Sequence, residues 1–262
     1  MPDNLDDMTI RQLQRLLGTT SKVVAVTGSG VSAESGIPTF RDSENGLWNQ
    51  YSPYELASPD AFLRDKDLVW GWYEWRRNLI NKAHPNPGHL VLAEMQRHFD
   101  DFTLVTQNVD DLHERAGSQG VVHLHGEIMR PRCFSCGHAY QHSESSDAAA
   151  EPMLRISPPT CSRCDGFVRP GVVWFGESLS EDAWNAAATA AQSCDVLFCL
   201  GTSGLVHPAA GLPQLARRSG ATVIQINPQE TALDSDAHYN LRGNNGRVLP
   251  ELFRRLVANA DD

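Results

Sequence analysis

The sequence predicts an α/β fold, a parallel sheet with helices on both faces that carries a smaller domain, and three observations predict it. Short apolar runs at Val23 to Val26, Phe102 to Thr106, Asp195 to Leu200 and Thr222 to Asn227 read as buried strands. Helix-length segments alternate with them, the pattern of a parallel sheet flanked by helices. The first run leads straight into Thr27-Gly-Ser-Gly-Val-Ser-Ala33, a glycine-rich turn of the G-x-G-x-x-A type, which makes the sheet Rossmann-like.

The chain of 262 residues, 41% hydrophobic, can bury a sizeable core as one domain carrying a smaller one. Twenty-two basic against thirty-two acidic residues give a net charge of −10. That balance argues against nucleic-acid binding and permits basic peptide partners, although it also serves solubility alone. No apolar run approaches the ~20 residues that span a bilayer, and Met1-Pro-Asp-Asn-Leu-Asp-Asp7 lacks a signal-peptide pattern. A cytoplasmic protein is expected, without membrane contact and as a monomer.

In chain order, Ile10, Leu13, Leu16 and Leu17 fall at helical spacing, with Thr9 as an N-cap and Gly18 as a stop. After the glycine turn, Pro38 argues against a long helix, and no second strand ending in an acidic residue follows. An aromatic-rich stretch holding Trp48, Tyr51, Tyr54, Phe62, Trp70, Trp72, Tyr73 and Trp75 reads as a helical insertion. Gly88 to His98 reads as an amphipathic helix and Val121 to His125 as a third strand. Cys133 to Cys164 breaks the rhythm, with a polar low-complexity stretch from Ser143 to Glu151. The pattern resumes with a strand near Gly171 to Phe175, a helix from Glu181 to Gln192 and another around Ala209 to Ser219.

Four constellations carry chemistry. Cys133, Cys136, Cys161 and Cys164 form C-x2-C-x24-C-x2-C, two thiolate knuckles able to close a tetrahedral zinc site. Four thiolates leave no place for water, so one structural zinc ion is expected, with His138 and His142 unneeded. Cys194 and Cys199 read as packing. Thr106-Gln-Asn-Val-Asp110 ends a strand at the ligand-binding edge, where its amides and carboxylate suit ribose hydroxyls and a carboxamide; Asn108 or Asp110 could equally cap the next helix. His125 ends the third strand beside Gly126 as a candidate general base, but His123 shares its face and periodicity does not choose between them. Gly201-Thr-Ser203 and Asn227-Pro-Gln229 follow buried strands on the same edge, as phosphate and ribose contacts or as plain turns.

In one order the chain carries G-x-G with S-G-I-P-x-F-R, then T-Q-N-V-D, L-H-G, four zinc-spaced cysteines, V-V-W-F-G-E and G-T-S. This combination, over roughly residues 20 to 250, resembles the sirtuin family of NAD-dependent protein lysine deacylases. The resemblance implies NAD as cofactor, acylated lysine peptides as substrates, and nicotinamide and O-acyl-ADP-ribose as products. It implies that Gly28, Ser29, Gly30, Ala33, Phe40 and Arg41 belong to the cofactor loop, with Pro38 also binding the cofactor and Ile37 beside the nicotinamide. Gln107, Asn108, Val109 and Asp110 would line the ribose and nicotinamide pocket. Gly201, Thr202, Ser203, Asn227, Pro228, Gln229 and Asn245 would hold the adenosine half. His125, rather than His123, maps to the catalytic base, and Asn108 is the second catalytic residue. Substrate peptide would lie as a strand between Val173, Phe175, Gly176 and Glu177 on one side and Gly204 to Val206 on the other. Ser29 and Val109 stand where the family usually has Ala and Ile, both small changes. The implied division places 1–40, 87–127 and 171–262 in the NAD-binding domain, 41–86 in a cofactor loop and helical module, and 128–170 in a zinc-binding module.

Tyr73-Glu-Trp-Arg76 resembles the Y-x-x-R motif of the subclass that removes acidic acyl groups, and Ala57 matches its small pocket residue. A buried carboxylate such as a succinyl end is costly unless paired, and an Arg fork with a phenol hydroxyl pairs it. Arg77, beside it, reads as a surface residue. Three rivals remain: an ADP-ribosyltransferase on the same scaffold, a non-catalytic NAD or ADP-ribose regulator, and a zinc-containing dehydrogenase, which the missing acidic ribose ligand disfavours.

Overall fold

The computed structural model describes residues 7–39, 52–141 and 155–258. Phe40, Arg41, Trp48, Tyr51, His142 and the polar stretch 143–151 lie outside these. The chain begins with α1 (Asp7–Leu17), β1 (Lys22–Thr27) and the short α2 (Ser29–Ala33). The aromatic stretch forms α3 (Pro53–Leu56), α4 (Pro59–Arg64) and α5 (Lys66–Lys82). Then come α6 (Pro87–His98), β2 (Asp101–Thr106), α7 (Leu112–Arg115), β3 (Val122–His123), β4 (Arg132–Cys133) and β5 (Val168–Arg169). The last third holds α8 (Glu181–Ser193), β6 (Val196–Leu200), α9 (Leu212–Arg218), β7 (Thr222–Asn227), β8 (Tyr239–Arg242) and α10 (Asn245–Ala258).

Six parallel strands lie in the order β3-β2-β1-β6-β7-β8, the doubly wound Rossmann order, whose direction of winding reverses between β1 and β6. Both faces of the sheet are covered, so its strands are apolar throughout rather than alternating. On β1, Val23 and Ala25 pack towards α1, α6 and α10, whereas Val24 and Val26 pack towards α8 and α9. A third core joins α3 to α5 with Val172 and Trp174, and β4 pairs antiparallel with β5.

Several expectations need correction. Thr9 lies inside α1 and does not cap it, since the helix already includes Asp7. The third strand ends at His123: Leu124 still donates to the Thr106 carbonyl (2.9 Å), but His125 sits in the turn that reaches Gly126. Gly126 has φ +73°, and a Cβ there would lie 2.3 Å from the Gly171 carbonyl oxygen. The segment 171–175 is not a strand of the sheet. It is an extended bridge in which the Val173 amide donates to the His125 carbonyl (2.8 Å) and the Phe175 amide to the Ala57 carbonyl (2.9 Å). The helix expected over 209–219 is a 3-10 turn, Ala209–Gly211, followed by α9. Arg77 is buried rather than on the surface: it pairs with Glu74, donates from Nε to the Ile128 carbonyl (3.0 Å) and lies over the Trp70 ring.

Candidate active site

The C-terminal ends of β1 and β6 meet at the switch point of the sheet, and their loops lock together through backbone. Gly28 N–H donates to the Leu200 carbonyl and Gly30 N–H to the Gly201 carbonyl, each at 2.9 Å. A Cβ on Gly30 would lie 2.7 Å from the Gly201 oxygen, and one on Gly28 would lie 2.9 Å from Thr202 Cα. The glycines are therefore needed for close approach of two loops, and these two amides bond the β6 loop rather than standing free for a phosphate. Gly28 itself has an ordinary extended backbone, φ −127°.

Beneath this ledge Asn108 and Asp110 belong to a buried polar lattice whose other members, Ser32, His89 and His113, no motif marks. Asn108 Nδ2 donates to the Gly28 carbonyl and to Ser32 Oγ, both at 3.1 Å, while Ser32 donates to Asp110 Oδ2 at 3.0 Å. Asp110 Oδ1 also takes the Leu112 amide at the start of α7 (3.2 Å), although the residue at the N-cap position of that helix is Asp111 rather than Asn108 or Asp110. Burial pushes the Asp110 carboxyl up, against the pull of the Leu112 amide, the Ser32 hydroxyl and the Arg76 charge. His89 accepts the Asn86 amide at Nδ1 (3.3 Å), so its proton is on Nε2, facing Ser32. Thr27 donates to Thr106 (2.8 Å) and faces His113 Nε2 at 2.9 Å. Burial lowers both imidazoles, His89 to about 4 and His113 well below its ordinary value, so both are neutral. The sequence signal was slight: polar residues in otherwise apolar helix starts, such as His89 three positions after the cap Asn86.

The two candidate histidines differ in what holds them. His123 Nε2 contacts Glu114 Oε1 at 2.7 Å and its Nδ1 the Asn108 carbonyl at 3.3 Å, engaging both nitrogens. Burial works to lower its pKa, but the Glu114 carboxylate outweighs it and the net shift is upward. His125 Nδ1 lies 2.9 Å from the Gln107 carbonyl. A carbonyl only accepts, so Nδ1 carries the proton and Nε2 of the neutral ring keeps its lone pair. Burial lowers the His125 pKa despite that bond, which keeps the ring neutral near pH 7.

Around His125 the structure brings together Gln107, whose Nε2 donates to Thr202 Oγ1 (2.9 Å), and the 171–177 segment. Asn227 Nδ2 donates to the Thr202 carbonyl (3.0 Å), while Pro228 and Gln229 stand exposed beyond it. Ser29 is exposed; Ala33, Pro38, Val109 and Ser203 are half-buried, and Ile37 is buried. Asn245, at the start of α10, is buried, with Nδ2 close to Gly201 and Oδ1 without a hydrogen-bond partner among the described residues. A crossover ledge of glycines beside an orphaned buried acceptor fits a dinucleotide.

On the helical module, Tyr73 is buried on α5 and its hydroxyl accepts the Trp174 indole N–H at 2.9 Å. Its pKa is pushed up to about 12, chiefly by burial, so it stays a phenol. The half-buried Arg76 lies 5.0 Å from the Trp72 ring centre and acts electrostatically on Tyr73 and Asp110. Ala57 is buried in the same apolar core as Tyr73. Gly176 is exposed, Val206 and Leu205 stand out to solvent, and the Glu177 carboxylate is held by Arg169 and the Trp174 amide.

The four cysteines converge, with all sulfur atoms within 4.8 Å of one another, Cys133 to Cys164 at 3.5 Å and Cys136 to Cys161 at 3.8 Å. Thiolates at ~2.3 Å from zinc would be roughly 3.8 Å apart, so the set fits a tetrahedral ion. Amides of Ser135, Cys136 and Arg163 point at Cys133 and Cys161 sulfurs. His138 contributes its carbonyl to the Cys133 amide. Cys194 and Cys199 are buried in the core, and burial pushes the Cys194 thiol up to about 11.

A profile of the Sir2 family matches residues 28–208. The chain belongs to the Sir2 family. Two curated Sir2 relatives are the NAD-dependent protein deacylase of Methylococcus capsulatus, 53% identical over 89% of this chain and 92% of that protein, and NAD-dependent protein deacylase 1 of Pseudomonas aeruginosa, 51% identical over 94% and 98%. A solved Sir2 homolog–NAD complex superposes with a TM-score of 0.88 at 43% identity, covering 98% of this chain and 95% of that one. Among the described residues no helix is long and apolar enough to cross a membrane.

Proposed function

We propose that this chain is an NAD-dependent protein lysine deacylase that moves acyl groups from lysine to ADP-ribose, releasing nicotinamide and O-acyl-ADP-ribose. The observation that carries the reading is the His125 ring: its Nδ1 is anchored on the strand-end carbonyl of Gln107, in a loop that also reaches the β6 ledge through Thr202. NAD, when bound, supplies an electrophilic ribose carbon and a good leaving group in nicotinamide. The 28–33 and 201–203 loops, Asn227 and Asn245 would hold it, with Asn108 and Asp110 supporting the reacting end. His125 takes up one proton at Nε2 during acyl transfer. The 173–177 and 204–206 segments receive the peptide as an added strand; because the Val173, Trp174, Phe175 and Glu177 amides bond within the chain, the backbone bonds on the first segment fall to the Gly176 amide and the carbonyls, which gives affinity with little sequence preference.

Acidic acyl groups are the preferred class within this activity, paired by Arg76 and Tyr73 in a pocket that Ala57 leaves wide. The reading includes the domain limits expected above and a monomer. It also includes a cytoplasmic location, supported by thiols grouped for metal rather than disulfides. The test is to incubate the protein with NAD and matched acetyl- and succinyl-lysine peptides. Arg76→Met should lower the succinyl-to-acetyl ratio of kcat/KM roughly ten- to a hundredfold, the worth of one charge-assisted bond. An unchanged ratio removes the acyl selectivity, and absence of nicotinamide release removes the activity.

A further inference from the structure

Behind Tyr73 runs a chain of contacts through Trp174 and Glu177 of the V-V-W-F-G-E run to Arg169. Trp174 is buried between Phe62, Phe134 and Tyr73, with its indole N–H on the Tyr73 oxygen. The Arg169 guanidinium lies 3.5 Å from the Trp174 ring centre. All three of its nitrogens are engaged: Nη1 and Nη2 fork onto Glu177, Nη2 reaches the Val172 carbonyl (2.9 Å) and Nε the Pro170 carbonyl (3.3 Å). Glu177 in turn accepts the Trp174 amide at 2.8 Å, so the indole is fixed at both its backbone and its face. Arg169 ends β5, whose preceding residue Val168 pairs with Cys133 of β4.

We propose that Trp174 and Arg169 are positioning residues for acyl selectivity, which orient the Tyr73 hydroxyl so that it donates to an acyl carboxylate. A phenol proton lies in the ring plane on one of two sides of the oxygen. The indole N–H can only donate, so it occupies one side and leaves the proton to the other. A hydroxyl that accepts from one partner is also polarised into a stronger donor to the next. The stacked, forked Arg169 keeps the indole from turning away, because its planar group meets both the ring face and the Glu177 carboxylate. Tyr73 thus offers a proton where Arg76 offers charge, and a neutral acyl chain gains from neither. The inference rests on the acidic-acyl reading and goes beyond it in naming residues that never touch the acyl group.

The test compares kcat/KM for matched succinyl- and acetyl-lysine peptides in Tyr73→Phe, Trp174→Phe and their double variant, with Arg169→Lys as a second probe that keeps the indole. Trp174→Phe should lower the succinyl-to-acetyl ratio roughly three- to tenfold, the size of one hydrogen bond. It should have no further effect on the ratio in the Tyr73→Phe background, and Arg169→Lys should move the ratio in the same direction. If Tyr73→Phe lowers the ratio but Trp174→Phe and Arg169→Lys change both substrates equally, the positioning role is wrong and the acidic-acyl reading stands. If Tyr73→Phe leaves the ratio unchanged, both fall. Should Trp174→Phe fail to fold, Arg169→Lys alone decides: an unchanged ratio overturns the proposal.

Discussion

The Nδ1 atom of His125 lies 2.9 Å from the Gln107 carbonyl oxygen, while the neighbouring His123 is engaged at both nitrogens by Glu114 and Asn108. Only the first arrangement fixes a tautomer whose remaining lone pair is a base. His125→Ala is expected to lower kcat/KM for deacylation by roughly 10²–10⁴. Because burial lowers the His125 pKa, the base form persists below the ordinary histidine range. The acid limb of kcat/KM should therefore have an apparent pKa under about 6.5. An acid limb above that value would place the base elsewhere.

The buried His89 predicts how stability depends on acid. Its pKa is about 4 in the folded chain, below the ordinary value, so between the two the unfolded chain binds more protons. Its contribution is fully present above pH ~6.5 and lost as the pH falls towards 4, amounting to roughly 3 kcal/mol. Denaturant midpoints measured across that window should fall less steeply in His89→Gln. An equal slope in both proteins would show that this imidazole is not buried neutral.

Gly30 tests the ledge. Alanine would place a methyl 2.7 Å from the Gly201 oxygen, forcing the β1 and β6 loops apart. Gly30→Ala should cost about 1–3 kcal/mol of stability and raise the KM for NAD. Thermal unfolding and NAD titration check it; a wild-type KM would mean that the two loops do not set the cofactor seat.

The cysteine cluster predicts one zinc per chain. Metal analysis should find a single ion, and Cys161→Ser should lose it with a lowered Tm and altered near-ultraviolet circular dichroism, since β5 leads directly to Arg169 and Trp174. Retention of zinc in that variant would mean another ligand completes the site.

The sheet strands and the cysteine cluster are legible in the sequence because their signals are local. Apolar runs marked β1, β2, β6 and β7 because those strands are buried on both faces, and the cysteine spacing marked the zinc site because knuckle geometry is local. What sequence reading missed depends on tertiary contact. The alternation in Val121 to His125 extends past β3 because the same pattern serves a turn that Gly126 permits. In α10, Val248, Leu249, Leu252, Phe253 and Leu256 make a buried face, yet Pro250 inside it argues against a helix from sequence alone. Arg77 reads as a surface residue because an i,i+3 pair with Glu74 suits an exposed helix face equally well, and nothing local announces the Ile128 carbonyl that Arg77 reaches. The Arg169–Trp174–Tyr73 line joins residues about a hundred positions apart and leaves no periodic trace.

The most direct measurement follows the fate of the acyl group. The protein is incubated with NAD and a succinyl-lysine peptide, and the products are identified by mass. The account predicts free lysine peptide, nicotinamide and O-succinyl-ADP-ribose in equal amounts, with all three lost in His125→Ala. NAD consumption that leaves the peptide acylated and places ADP-ribose on protein would contradict it.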